Sequence, residues 1–182
     1  MQLTGPTPAQ VPARWELGDL AFMTRDELAA LMAAQLFVVE DRRASGVHGD
    51  TPSASSQWLT RTLNTLSAAR IAGAGLGSNI VTLPPGLYLL DGWAAAYAPY
   101  SHALRLWNVT AGAVVDAVPG SGGYQPSAST TTPLGGFFEL TVTSTLRLEH
   151  WVSSVSSYGF GYAAGTGRPE VYAHLTFRRL AS

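Results

Sequence analysis

Between Asn79 and Gly112 the chain reads NIVTLPPGLYLLDGWAAAYAPYSHALRLWNVTAG, and no other stretch restricts the fold as much. Ile80 to Leu83 is short and β-branched and runs into Pro84-Pro85-Gly86. Proline lacks the ladder donor and glycine reverses a chain at low cost, so neither a strand nor a helix continues through that tripeptide. Leu87 to Tyr97 reads as a second strand, closed by Ala-Pro-Tyr-Ser, and His102 to Thr110 as a third. Ala111-Gly112 ends that one before Val114-Val115 opens a fourth. An antiparallel meander of this kind must cover its apolar face with a second sheet or a partner.

The rest of the chain from Gln57 onward has the same character. Trp58 to Thr65 reads as a strand and the glycine-rich Ile71 to Leu76 as a short or bulged one. Leu134 to Thr143 sets Phe138, Leu140 and Val142 against Phe137, Glu139 and Thr141. Leu146 to Val152 sets Leu146, Leu148 and His150 against Arg147, Glu149 and Trp151. Tyr158 to Ala164 is expected to be an aromatic-glycine strand. Glu170 to Arg178 closes the pattern with Val171, Ala173, Leu175 and Phe177 facing in. Pro119 to Thr132 is a low-complexity stretch, expected to be a long functional or mobile loop. Short strands separated by turns every eight to twelve residues or so predict an antiparallel sandwich.

The first fifty residues differ. Met1 to Ala13 carries prolines at 6, 8 and 12 and is expected to be extended or disordered when alone. Trp15, Leu17, Leu20 and Phe22 make the next stretch apolar enough to need burial against another chain. Thr24-Arg25-Asp26-Glu27 is a capping box. It predicts a short α-helix over about Arg25 to Leu36, with Leu28, Leu31 and Met32 on one stripe. A helix of about three turns is marginal by itself, so the stripe packs on the chain's own sandwich, on other copies or on another protein. Ala44 to Ser56 is rich in Ser, Gly, Pro and Thr. The expected organisation is an N-terminal anchoring segment over 1–50, a linker over 51–56 and a β domain over 57–182. Residues 1–50 hold seven acids and four arginines, a net of -3, and the remainder five acids and seven arginines, a net of +2. That sign difference suits separate partners.

Composition excludes several classes. Only 13% of residues are charged and the net charge is -1, which argues against electrostatic nucleic-acid binding. The chain has no cysteine, so a disulfide scaffold, thiolate metal sites and a cysteine nucleophile are excluded. No signal peptide is visible and no apolar run reaches the length of a membrane span.

The search for chemistry yields little. The four histidines, His48, His102, His150 and His174, lack metal-ligand spacing, although His150 and His174 lie in strands that a sandwich could bring together. No nucleophile elbow and no acidic calcium loop is present. Glu139 and Glu149 are a conceivable carboxylate pair, more simply held by Arg105 or Arg147. Gly73-Ala74-Gly75-Leu76-Gly77 lacks nucleotide-loop spacing and fits a bulged strand. The expectation is a protein without enzymatic activity, cofactor or metal. Tyr97, Tyr100, Tyr124, Tyr158 and Tyr162 lie near turns, where a flat ring and a hydroxyl suit either a sugar or the closing of a sandwich end. Phe137, Trp151 and Tyr172 stand opposite other large apolar residues, so a lone sandwich would leave them in water and a ring of identical subunits would bury them.

NIVTLPPGLYLLDGWAAAY followed by HALRLWNVTAGAVV resembles the carboxy-terminal module of bacteriophage tail fibres and related virion spikes. There an L-P-x-G-x-Y turn leads through an alternating strand to an H-x-x-R-L-x-N-V-T-x-G hairpin. The resemblance continues in Arg61 to Thr65, Phe137 to Leu140, Leu146 to His150 and Glu170 to Ala173, and covers about Gln57 to Phe177. It implies a TNF/C1q-like jelly roll that forms a homotrimer. The functional expectation is a virion protein anchored to the particle through Trp15, Leu17, Leu20, Phe22, Leu28, Leu31 and Met32 and adsorbing to a host-surface glycan or protein. A virion decoration or adaptor protein and a secreted C1q-like binding module are the alternatives.

Overall fold

The computed structural model describes Thr24, residues 35–122 and residues 124–181, with backbone only for residues 117–119 and 121. Eleven strands occur among the described residues: β1 (Leu36–Arg43), β2 (Trp58–Thr60), β3 (Thr65–Ala69), β4 (Gly75–Gly77), β5 (Ile80–Leu83), β6 (Gly86–Tyr97), β7 (His102–Asn108), β8 (Ala113–Ser121), β9 (Ser129–Leu140), β10 (Ser144–Val152) and β11 (Glu170–Ala181). They form two sheets. One has the order β3-β1-β11-β6-β9, the other β4-β5-β10-β7-β8, with β2 beside β10. Every pairing is antiparallel. From β6 onward the chain alternates between the sheets: β6, β9 and β11 lie in the first, β7-β8 and β10 in the second. This is jelly-roll connectivity.

The four strands expected between Asn79 and Val115 are present as β5, β6, β7 and β8, but they do not form the expected meander: β6 lies in the first sheet and the other three in the second, where only β7 and β8 pair with each other. Alternation places Tyr88, Leu90, Leu104, Leu106, Leu134, Phe138, Leu146, Leu148, Leu175 and Phe177 in one core between the sheets. Tyr88 is fully buried because its hydroxyl donates to the Pro84 carbonyl at 2.8 Å, and its ring stacks on Phe138 at 5.5 Å.

Several expectations need correction. Residues 36–50 are not part of a separate segment: β1 lies between β3 and β11, so the sandwich already includes Leu36–Arg43 and does not start at Gln57. The charge run Glu40-Asp41-Arg42-Arg43 sits in that strand because each acid finds a partner. Glu40 accepts from Ser67 Oγ at 2.6 Å and contacts His174 Nδ1 at 3.0 Å, and the buried Asp41 accepts from Arg43 Nε at 2.7 Å. Residues 51–56 are tied to the sandwich, not free to tether, through Tyr158 N to Thr51 Oγ1 and Ser56 N to the Val152 carbonyl. Of the expected helix, residues 25–34 lie outside the described residues, while Gln35 is in a turn and Leu36 opens β1. No helix occurs among the described residues. The expected long loop is shorter, since β8 runs to Ser121 and β9 begins at Ser129. The β-branched Thr130, Thr131 and Thr132 pair with Ala96, Ala95 and Ala94. Tyr158 to Ala164 is not a strand. Tyr158 has φ 61 and Gly161 φ 151, and local bonds such as Gly161 N to the Tyr158 carbonyl fold the segment into turns.

Candidate functional site

The sandwich has two unlike ends. The chain enters β1 where Arg179 N donates to the Gln35 carbonyl, and that end also carries the Pro84-Pro85 turn and the connections over 109–112 and 141–143. This is the base. At the opposite end, the tip, β6 finishes at Tyr97, β7 begins at His102, and the loops over 44–57, 98–101, 122–128 and 153–169 meet.

All five expected tyrosines lie at the tip, in two groups. Tyr158 and Tyr162 pack on His48, the His48 ring stacking on Tyr158 at 4.0 Å and meeting Tyr162 at 4.5 Å, and Tyr97 joins the group through Tyr162 at 4.8 Å. The amide of Ala163 donates to His48 Nδ1 at 2.9 Å, so the neutral ring carries its proton on Nε2. Tyr100 and Tyr124 form a separate edge-to-face pair at 5.4 Å, where Tyr100 and Gln125 exchange backbone hydrogen bonds. Tyr124 is 63% and Tyr162 51% exposed, so these rings face solvent instead of sealing the core. Ala98, Tyr100 and Tyr158 hold left-handed backbone, which side chains adopt rarely and which recurs at functional loops.

Beside the His48 group an open groove of about 340 Å³ runs onto the outer face of the first sheet. Trp93 from β6, Ser129 and Thr131 from β9, Tyr162 from the tip and Glu170 and Tyr172 from β11 line it. Hydrogen bonds from the Gly165 and Gly46 amides, at 2.8 and 3.2 Å, hold the Glu170 carboxyl below the usual carboxylate range. Burial, then the negative charge of Glu170, pushes the Tyr172 hydroxyl up to about 12. That hydroxyl donates to the Val47 carbonyl at 2.9 Å. His48, Trp93 and Glu170 were not among the expected site residues. Trp93 alternates outward on β6, which was legible, whereas nothing local marks His48.

The three candidate interface residues do not share a surface. Phe137 is 58% exposed on the outer face of β9, with its cross-strand partner Leu89 half-buried and Leu87 and Leu180 exposed near the base. Trp151 lies on the other sheet, half-buried, as the register partner of Trp58. Tyr172 is buried within the subunit under Gly161, where an added Cβ would approach its ring carbon to 2.0 Å, so it is corrected from interface to internal packing. The candidate anchor residues Trp15, Leu17, Leu20, Phe22, Leu28, Leu31 and Met32 lie outside the described residues.

The remaining chemistry is also rearranged. Glu139 lies on β9 and Glu149 on β10, in different sheets, so they do not form a carboxylate pair. Glu149 is held by Arg105 and Arg147. His150 and His174 are likewise in different sheets. His150 instead meets His102, Nε2 to Nδ1 at 3.0 Å, inside the core below the tip. Burial lowers both imidazoles, His150 the further, with the positive charges of Arg61 and His102 acting in the same sense on it. No group of three or more His, Cys, Asp or Glu able to hold a metal occurs among the described residues.

This architecture is a TNF/C1q-like jelly roll. Among solved structures it is similar to the globular domain of zebrafish complement 1qA, with a TM-score of 0.52 at 15% identity, covering 80% of this chain and 96% of that one. It is equally similar to murine APRIL, with a TM-score of 0.53 at 15% identity, covering 80% of this chain and 99% of that one. At this identity the likeness is one of fold. No family model matches the chain, and no curated protein matches it.

Proposed function

We propose that this chain is a homotrimeric virion spike or fibre protein, attached through its N-terminal segment and displaying the jelly roll for adsorption to a host-surface glycan or protein. The observation that carries the proposal is the polarity of the sandwich. Residue 35 enters at the base, while the solvent-facing tyrosines gather at the tip, the arrangement wanted when one end is fixed and the other must meet a surface. The phage-fibre resemblance of Asn79 to Gly112 supplies the virion setting. The trimer rests on that resemblance and on Phe137, Leu87 and Leu180, which water covers in a lone subunit. Burying such side chains contributes about 1.5–3 kcal/mol each. Three weak sites on one rigid particle gain through effective concentration.

At the tip a pyranose ring would stack on Tyr162 or Trp93 and hydrogen-bond the hydroxyls of Ser129 and Thr131 and the carboxylate of Glu170. No covalent step is part of the proposal. The test is a glycan array probed with the full chain, with a Tyr158→Ala/Tyr162→Ala variant beside it. Selective binding that the variant loses is the expected result. An array without hits, together with particles that adsorb normally when they carry the variant, overturns the adhesive role and leaves a decoration protein.

A further inference from the structure

The outer face of the second sheet carries a charged aromatic cluster that the tip reading does not use. Glu149 points outward from the middle of β10 yet its side chain is only 2% exposed, because two arginines and a tryptophan cover it. Arg105 Nε donates to Oε2 at 2.5 Å. Arg147 Nε donates to Oε1 at 2.6 Å, and Nη2 of the same guanidinium lies 2.6 Å from that oxygen in an ion pair. The Arg105 guanidinium lies between two indoles, 4.2 Å from the Trp58 ring and 4.8 Å from Trp107. The Arg147 guanidinium sits 5.9 Å from the Trp107 ring.

The count of charges matters here. Two guanidinium groups share one carboxylate, so the cluster keeps one positive charge. Asp116 on the neighbouring β8 makes no ion pair with either arginine. Among the described residues neither Nη group of Arg105 nor Nη1 of Arg147 has a hydrogen-bond or ion-pair partner, and the two side chains are 22% and 34% exposed. Their donors are therefore presented to solvent at fixed positions. Carboxylate and indole contacts have already taken away the rotamer freedom that an arginine normally loses on binding an anion. Trp58, 37% exposed, and its register partner Trp151 add flat apolar surface next to these donors.

We infer that this face binds an acidic saccharide: a pyranose ring lies on Trp58 and Trp151, and its carboxylate or sulfate takes the free guanidinium donors of Arg105 and Arg147. Paired N–H donors match planar oxyanions, and the indole faces match the ring. An acidic peptide fits less well. The backbone groups of β10 are taken up by β2 and β5 on one side and β7 on the other, so an added strand finds nothing to pair with at the cluster. This inference is independent of the tip and of the virion setting.

The test is binding of the full chain to immobilised polygalacturonate, dextran sulfate, neutral dextran and a poly-glutamate peptide over a salt series. Retention on one or both acidic polysaccharides, weakening as salt rises, with neutral dextran and poly-glutamate unbound, is expected; which acidic polymer is held tells carboxylate from sulfate. Arg105→Gln alone would strand Glu149, so the informative variant is Arg105→Gln/Arg147→Gln/Glu149→Gln, which keeps hydrogen-bonding groups in place and removes the charge. It should bind at least about tenfold more weakly, and Trp58→Ala should also weaken binding. Equal retention on dextran and the acidic polymers, poly-glutamate bound as tightly as a polysaccharide, or unchanged binding by the folded triple variant would each overturn the assignment.

Discussion

At the level of single residues, the polar groups inside the core explain more than the surface does. Arg61 is fully buried; its Nη2 donates to the carbonyls of Phe160 and Tyr172 at 3.0 and 2.9 Å, its guanidinium stands 4.3 Å over the Phe160 ring, and Asp41 lies 3.9 Å away. Burial lowers Arg61 to about 10, still charged at neutral pH. The stacked faces of His150 and Phe160 extend this assembly to the His102–His150 pair. Folding depresses both histidines, so at acidic pH the unfolded chain binds more protons than the folded one. Stability is therefore full above the unfolded value of about 6.5 and falls as pH drops from there towards the depressed folded values. The denaturant midpoint should be lower at pH 5 than at pH 7, and His150→Phe, which keeps a ring against Phe160, should flatten that dependence. A parent and variant with identical pH profiles would contradict the assignment. None of this was legible beforehand. His102 and His150 lie 48 positions apart, and only the pairing of β7 with β10 makes them neighbours.

At the level of elements, alternation was readable wherever one face of a strand is buried and the other solvated. β6, β7 and β10 therefore came out close to their expected positions, whereas β9 runs over Ser129–Leu140 instead of Leu134 to Thr143. Failure followed where side chains gave misleading signs. Glu40 to Arg43 look like a solvated run but belong to an internal strand: Glu40 finds Ser67 and His174 far off in sequence, while Arg43 bridges Asp41 and the nearby Asp50. YGFGYAA alternates like a strand, but Gly159 and Gly161 are there for close approach: a Cβ at Gly161 would collide with the Tyr172 ring. Gly161→Ala should therefore cost about 1–3 kcal/mol through overpacking, lowering Tm by roughly 2–4 °C per kcal/mol. Tyr158 and Tyr162 flank this glycine, so their tyrosine fluorescence should change as well. An unaltered Tm would mean that the segment does not pack on β11 as described.

For the whole molecule, the first sheet is the side that a single copy leaves incomplete. The second sheet covers its own aromatics with arginines, whereas Phe137, Leu87 and Leu180 have no such cover and sit towards the end where the chain enters. Phe137 and Tyr172 both point away from the core, but Phe137 is exposed whereas Tyr172 is covered by the segment around Gly161. Alternation tells which way a side chain points but not whether a loop of the same chain lies over it. Three copies meeting on this face would bring the bases together and spread three tips outward. Equilibrium sedimentation of the full chain at micromolar concentration, beside Phe137→Ser, examines this directly. The parent should have three times the mass of the 19.2 kDa chain, and the variant should dissociate at concentrations where the parent does not. A parent that stays a well-behaved single copy would contradict the trimer and the multivalent adsorption built on it.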